Sequence, residues 1–137
     1  MLPGAGLIGT LVALNPTAFP VLTNLNLSGN RLAGAIPTTI SNLSSLLLVL
    51  LDLATRSSPH AEQQLSQVRE NQYHKLSQVL VLSNNSLGGS IPSLLGRLWK
   101  LQQLDLHAMR LVSRLPLEMG HMTSLHILDL SLNNLTS

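Results

Sequence analysis

A leucine spacing that recurs along the chain is the feature that most limits its fold. Residues 22–37 read L-x-x-L-x-L-x-x-N-x-L-x-G-x-I-P. The same pattern returns at 80–92, again at 101–116, and once more, in part, from Leu125. A repeat unit this short cannot bury its leucines alone and must stack on its neighbours. The chain is therefore predicted to be a solenoid of stacked coils.

The spacing also predicts what single residues of each repeat do. The last two leucines of L-x-x-L-x-L lie two positions apart, so both point to the same side of a strand. Stacked asparagine amides, which donate and accept, can satisfy buried backbone groups at the turns; the asparagines at this position are Asn30, Asn85 and Asn133. The prolines that close the pattern should each begin a bend or short helical turn; they are Pro37, Pro92 and Pro116.

The repeats divide the chain into one predicted domain, 1–137. It holds repeats near 22–45, 48–76, 77–100 and 101–124, with partial repeats at 1–21 and 125–137. Segment 57–75 does not fit the pattern, because it contains one leucine and four charged residues. Three interpretations of it stay open: an insertion on the solenoid, a recognition island, or non-coding sequence translated by an erroneous gene model.

Four positions depart from the repeat. Arg56 and Met109 replace the asparagine, so two rungs of the amide ladder should be weaker. Ser113 stands where Gly is expected, and Ser77 replaces the first leucine of its repeat.

Composition excludes several classes of protein. The chain has no cysteine, so it has no disulfide framework and no thiolate metal site. Eight Lys and Arg against six Asp and Glu, with no basic run, give no nucleic-acid footprint. No apolar run is long enough to span a membrane, and 1–21 lacks the basic start of a signal peptide.

The pattern resembles the plant-specific class of leucine-rich repeat, most specifically at 25–37 and 80–92. The likeness is greatest to ectodomains of plant receptor-like kinases and receptor-like proteins. The resemblance implies an α/β fold, a right-handed, horseshoe-shaped solenoid with short parallel strands on the concave face and 3₁₀ turns on the convex face. It also implies ligand perception, signalling, a role in plant defence and a place on the extracellular face of the plasma membrane. The kinase domain of such receptors is absent from this chain.

Family ectodomains usually carry cysteine-bearing caps, which this chain lacks. Because the leucine rows near Leu7 and Leu135 then have no covering coil, we predict a marginal or self-associating chain.

The predicted concave face is polar and nearly neutral, which suits hydrogen-bonded recognition of a peptide or protein ligand, with a co-receptor as a further partner. Its predicted ligand-binding residues are Thr23, Asn24, Asn26, Asp52, Gln78, Val81, Gln102, Gln103, Asp105, His107, His126 and Asp129. Four N-x-[ST] triplets make Asn26, Asn42, Asn84 and Asn134 candidate glycosylation sites.

Catalysis is not predicted. Asp52, Asp105 and Asp129 should form an acidic column, but neither a nucleophile nor an oxyanion donor accompanies them. His107 and His126 come from adjacent repeats and are the only conceivable metal ligands, while solvated surface histidines are the preferred interpretation. No metal and no cofactor are therefore predicted.

The sequence thus predicts a non-enzymatic binding module, a fragment of a plant receptor-like ectodomain. The alternative is a structural or inhibitor-type repeat protein that resembles plant inhibitors of cell-wall-degrading enzymes.

Overall fold

Two parallel sheets run side by side through the computed structural model, which describes residues 2–15, 18, 22–44 and 78–136. We call the four-stranded one the first sheet. Its strands are, in spatial order, β2 (Asn24–Asn26), β4 (Gln78–Val81), β6 (Leu101–Asp105) and β8 (Ile127–Asp129). Each coil contributes one short strand, so neighbouring strands are parallel and each pair belongs to successive described coils.

The second sheet is built by the other half of each coil. Its strands are, in spatial order, β1 (Ile8–Thr10), β3 (Arg31–Ala35), β5 (Ser86–Gly89), β7 (Arg110–Ser113) and β9 (Asn134–Leu135). These strands also pair in parallel. The chain therefore alternates between the two sheets, as the predicted leucine-rich solenoid requires.

The leucines of the repeat stack in register, which confirms the predicted fold class. Leu25 pairs with Leu80, Leu80 with Leu104, and Leu104 with Leu128 on adjacent parallel strands. Leu80 and Leu104 are almost fully buried in the core between the sheets. Because each coil contributes the same few leucines, the core is one layer repeated along the stack.

Asparagine amides join the coils on the inside of the turns. Asn85 Nδ2 donates to the carbonyl of Leu82 in its own coil (2.8 Å) and to that of Leu27 in the preceding coil (2.9 Å). Its Oδ1 accepts from the Leu32 backbone N–H at 3.1 Å. One buried side chain thus satisfies three backbone groups that secondary structure leaves unpaired.

The same arrangement recurs at the two other ladder asparagines. Asn30 Nδ2 donates to Leu27 O and Leu2 O, and Asn133 Nδ2 donates to Leu130 O and Leu106 O. Their Oδ1 atoms accept from Leu7 N and Leu111 N. Met109 occupies the ladder position between Asn85 and Asn133 as a buried thioether, which can donate no hydrogen bond to either carbonyl row.

Short 3₁₀ turns close the coils on the side opposite the first sheet. They span Leu11–Ala13, Thr38–Ser44, Ser93–Arg97 and Leu117–His121. The last three each begin directly after a proline of the repeat, as predicted. Successive turns pack closely, because a Cβ on Gly96 would collide with the carbonyl oxygen of Glu118. Only glycine permits that approach of two backbones.

The first described residues form a partial coil on the edge of β2. Leu2 N donates to Asn26 O and Gly4 N to Ser28 O, and β1 pairs with β3. Leu11, in the 3₁₀ turn that follows β1, is buried in the core. The partial repeat predicted at the start of the chain therefore stacks on the repeat that begins at Leu22.

A longer sequence offset separates one strand pair from the rest. Asn24 pairs with Val79, whereas Val79 pairs with Gln103 and Gln103 with Ile127. The first of these steps along the sequence is more than twice as long as either of the next two. The repeat predicted at 48–76, the segment 57–75 and Arg56 lie outside the described residues and stay predictions. In the first sheet β2 and β4 pair directly.

Removing 45–75 is expected to preserve the solenoid, because the deletion gives β2 and β4 the same sequence offset as the strand pairs that follow. Thermal unfolding of the deletion variant, followed by far-ultraviolet circular dichroism, should stay cooperative.

A matched deletion of 39–69 shortens the chain equally but also takes out Ile40, which is fully buried. Loss of a core aliphatic side chain costs about 2–5 kcal/mol, so this control should unfold at a much lower temperature. Equal melting temperatures for the two deletion variants would contradict the expectation that the solenoid is preserved without residues 45–75.

The backbone is left-handed at the position of the repeat glycine, and one of the described coils has a serine there instead of glycine. Gly34 and Gly89 have φ of 85° and 79°, and Ser113, at the corresponding place in the next coil, has φ of 75°. A side chain in this region is strained by about 1–2 kcal/mol. Glycine relieves that strain but has about 0.4–1 kcal/mol more unfolded-state entropy to lose.

Ser113→Gly is therefore expected to raise the free energy of unfolding by about 0.5–1 kcal/mol. Gly89→Ser should lower it by a similar amount, because an added Cβ meets nothing within 4 Å and only the backbone strain changes. Chemical denaturation of both variants measures this. A shift of the same sign in both would show that φ is not the cause.

Candidate functional site

One face of the first sheet points away from the leucine core; we call it the outer face. Leu80 and Leu104 point inward, so the residues between and beside these leucines point outward. The predicted ligand-binding residues that remain at least partly exposed are Thr23, Asn24, Asn26, Gln78, Gln102, Gln103, Asp105, His107, His126 and Asp129. Of these, Thr23 and Gln78 also line a small cavity among the leucines. Polar side chains on β2, β6 and β8 therefore share one surface with the apolar Val79 and Ile127, which lie in the same row as Asn24 and Gln103.

Two of the predicted face residues need separate comment. Val81 is only 8% exposed, because β4 is an interior strand that has Asn26 and Asp105 as register neighbours on either side. The prediction that Val81 is exposed for contact with a ligand is therefore corrected: its side chain is buried. Asp52 lies outside the described residues, so its place in the predicted column of aspartates stays a prediction. Asp105 and Asp129 are register partners on β6 and β8.

Asp105 is held in place by two neighbours. Its Oδ1 accepts the backbone N–H of His107 at 3.0 Å, and its Oδ2 accepts the hydroxyl of Ser83, from the preceding coil, also at 3.0 Å. Ser83 is buried, so this bond satisfies a hydroxyl that solvent does not reach. The carboxylate therefore has a fixed orientation on the outer face.

Asp129 is held in a similar way by Ser131, two residues further on. Both the backbone N–H and the hydroxyl of Ser131 donate to Asp129 Oδ1. The imidazole Nδ1 of His107 lies 2.8 Å from the same hydroxyl oxygen and 3.9 Å from Asp129 Oδ1. The bonds from the Ser131 hydroxyl and backbone, with the charge of His107 as a lesser cause, lower the pKa of Asp129 below its usual value.

This Ser–His–Asp group is not arranged for nucleophilic catalysis. The single hydroxyl proton of Ser131 goes to the carboxylate of Asp129, so His107 cannot be the base that removes it. Nor do three or more His, Asp or Glu side chains come close enough to hold a metal ion anywhere in the described part of the chain. The outer face offers a ligand hydrogen-bonding groups and the carboxylates of Asp105 and Asp129.

The first coil of the outer face has amides in place of carboxylates. Asn26 Oδ1 accepts the backbone N–H of Ser28 at 3.0 Å and its hydroxyl at 2.7 Å. Asn24 Oδ1 is buried without a hydrogen-bond partner. An unmatched buried acceptor costs about 1–3 kcal/mol, which a donor on a bound molecule would recover.

Sequence reasoning missed the hydrogen bonds that Ser28, Ser83 and Ser131 make at this surface. The signal is a short spacing: Asn26, Asp105 and Asp129 each accept the backbone N–H two residues ahead. Asn and Asp commonly bond the backbone in this way at turns. The bond from Ser83 to the next coil leaves no such local signature.

The candidate glycosylation sites differ in exposure. Asn42, Asn84 and Asn134 are exposed, whereas Asn26 is partly buried and its Oδ1 is engaged by Ser28. All four stay predictions.

A small cavity of about 20 Å³ lies between the first two coils, lined mostly by leucines including Leu25, Leu43 and Leu80, and it has room for nothing larger than water.

Comparison with known proteins identifies the repeat. The family model described as Leucine Rich Repeat matches residues 21–43 and 78–98. The chain thus contains leucine-rich repeats. No curated protein matches its sequence significantly. Among the described residues, no helix is long and apolar enough to cross a membrane.

Solved structures similar to this leucine-rich repeat chain are plant receptor ectodomains. A chain of the BIR3–SERK2 complex from Arabidopsis thaliana has a TM-score of 0.72 at 25% identity, covering 100% of this chain and 56% of that one. The BIR2 ectodomain from Arabidopsis thaliana has a TM-score of 0.68 at 25% identity, with coverages of 99% and 55%. PEPR1 with AtPEP1 has a TM-score of 0.66 at 33% identity, with coverages of 96% and 14%. The leucine-rich repeat chain thus spans about half, or far less, of the proteins it resembles.

The lowered pKa of Asp129 predicts a pH dependence. A carboxyl group whose folded pKa lies below its unfolded one stabilises the fold above the unfolded value, and that stability is lost as pH falls through the folded pKa. Asp129→Asn keeps an acceptor for Ser131 but cannot titrate. Between pH 5 and strongly acidic pH, its melting temperature should fall less than that of the parent chain. Glu118→Gln, on the opposite side of the coil, is the control, and equal acid sensitivity of all three proteins would refute the assignment.

Proposed function

We propose that this leucine-rich repeat chain is a binding module that takes an extended peptide or protein segment across the outer face of the first sheet. The module would lie at the extracellular side of the plasma membrane. Signalling would be carried out by parts of a receptor-like protein beyond these coils. The outer face would act as a fixed array of hydrogen-bonding groups, and the leucine core would supply only its rigidity.

One observation carries the proposal: the outer face has polar side chains on β2, β6 and β8, interrupted by Val79 and Ile127, while the core side of the same strands is leucine. Side chains on this face can change without disturbing the packing, because the residues that face outward are not those that fill the core. Gln78, Gln102 and Gln103 carry both donors and acceptors, which suits the peptide groups of an extended ligand. A rigid sheet also loses little conformational entropy when it binds.

The solved neighbours support a ligand of this kind. PEPR1 is seen with AtPEP1, and HAESA is seen with the peptide hormone IDA and the co-receptor SERK1. HAESA in that complex has a TM-score of 0.61 at 25% identity and matches 90% of this chain. Carrying peptide and co-receptor binding over to this chain is part of the proposal.

A pair of tryptophan substitutions tests the proposed surface. Peptides selected from a random displayed library on the full chain should bind at least about tenfold more weakly to Gln103→Trp, because the indole covers the middle of the outer face. Ser93→Trp places the same side chain on an exposed 3₁₀ turn and should leave affinity unchanged. Fluorescence polarisation with synthetic copies of the selected peptides measures both.

Thermal unfolding of both variants first establishes that each is folded. Failure to select any peptide, or equal binding by Gln103→Trp and the parent chain, would count against the outer face as the binding surface.

A further inference from the structure

The three interfaces between neighbouring strands of the first sheet share one pattern of backbone hydrogen bonds. We name each interface by its two strands: β2–β4, β4–β6 and β6–β8. At each of them, two backbone amides donate to carbonyls of the next coil; the donors are Leu27 and Gly29, Leu82 and Asn84, and Leu106 and Ala108. Because these backbone bonds repeat, a difference in how the interfaces are held must come from side chains.

The amide ladder crosses two of these interfaces but not the third. Asn85 crosses β2–β4, where it donates to Leu27 O and accepts from Leu32 N of the preceding coil. Asn133 crosses β6–β8 in the same way. Met109 occupies the corresponding position at β4–β6, and its thioether has no N–H to donate. The β4–β6 interface therefore lacks the ladder donor that both of its neighbours have.

A serine hydroxyl crosses the β4–β6 interface instead. The same position of three coils holds a serine: Ser28, Ser83 and Ser131. The first and last of these hydroxyls donate within their own coil, to Asn26 and Asp129 two residues earlier. Ser83 Oγ donates to Asp105 Oδ2 of the next coil at 3.0 Å. One serine of the three thus uses its hydroxyl proton between coils.

The sequence explains why Ser83 differs from the other two serines. The residue two places before it is Val81, which has no side-chain acceptor and lies in register with Asn26 and Asp105. Ser83 is 4% exposed, so its hydroxyl needs a partner within the protein. Asp105 supplies that partner, and a hydrogen bond to a carboxylate is stronger than one between neutral groups.

We infer that the Ser83–Asp105 hydrogen bond replaces the missing ladder rung at β4–β6, which makes Asp105 a positioning residue for the stacking of coils. Val81 and Met109 are then paired departures from the repeat. Val81 leaves the Ser83 hydroxyl without a local acceptor, and Met109 removes the bond that this hydroxyl replaces.

The replacement has a conformational consequence. His107 Nδ1 also contacts Ser131 Oγ across β6–β8, at 2.8 Å, but there the ladder amide of Asn133 is present as well. At β4–β6 the side-chain bond lies on the outer face, without an amide on the inside of the turn. Loss of the Ser83–Asp105 bond should therefore open β4–β6 locally and leave the other two interfaces closed. This inference does not depend on the binding of a ligand.

Native-state hydrogen exchange of the full chain, followed by NMR on assigned backbone amides, tests the inference. In Ser83→Ala, the amides of Leu82 and Asn84 should exchange at least about tenfold faster than in the parent chain, because they cross the interface that has lost its side-chain bond. The donor amides of β2–β4 and β6–β8 should keep their exchange rates.

Ser28→Ala is the matched control. Its hydroxyl bonds within its own coil, at an interface where the ladder is intact. The amides of Leu27 and Gly29 should therefore change by less than about twofold in this variant. Ser83→Thr keeps the hydroxyl and should exchange like the parent chain at Leu82 and Asn84.

Restoring the rung gives an independent test. Met109→Asn places a ladder amide at β4–β6, so adding Ser83→Ala to this variant should accelerate exchange at Leu82 and Asn84 by less than about threefold. If Met109→Asn does not fold, the comparison of Ser83→Ala with Ser28→Ala and Ser83→Thr decides alone. Equal acceleration at all three interfaces, no acceleration at β4–β6, or an undiminished effect of Ser83→Ala beside Met109→Asn would overturn the inference.

Discussion

Hydrogen bonding between coils is the constraint on which the rest of the structure depends. A single coil has turn carbonyls and amides that face inward, where water cannot reach them. Asn85 supplies partners to Leu27 and Leu32 of the preceding coil and to Leu82 of its own, so neither coil is complete without the other. Buried backbone groups left unpaired would cost about 1–3 kcal/mol each. The amides therefore set both the stacking order and the spacing of coils in which the leucines pack.

This constraint explains why the outer face is free to vary. The ladder and the leucines occupy the inside of the described coils, so stacking depends little on the side chains that point outward from the first sheet, with Asp105 and its bond to Ser83 of the preceding coil as an exception. They change from amides at Asn24 and Asn26 to carboxylates at Asp105 and Asp129 within four coils, while Leu25, Leu80, Leu104 and Leu128 stay in register. A surface that changes in chemistry over a constant backbone is what recognition of a particular sequence requires.

Much of the fold could be predicted from the sequence because the repeat encodes it locally. The register of Leu25, Leu80 and Leu104 and the 3₁₀ turns after the prolines follow from residue types at fixed spacing. The direct pairing of β2 with β4 did not follow, since the spacing of leucines shows that a segment can form a coil but not which coils become neighbours. That choice depends on long-range contacts such as the bond from Asn85 to Leu27.

The candidate site was likewise predictable in outline and not in detail. Alternation along a strand places Gln103 and Asp105 on the surface, and it placed Val81 there as well, although the neighbouring strands bury Val81.

Ligand recognition and stability are coupled at the end of the described stack. The coil that contains β8 is the least covered of the first sheet, because Leu128 is 46% exposed whereas its register partner Leu104 is buried. A ligand that binds only the folded state stabilises it to a degree set by its affinity and concentration. A ligand that contacts β6 and β8 together would therefore also hold this coil on its neighbour.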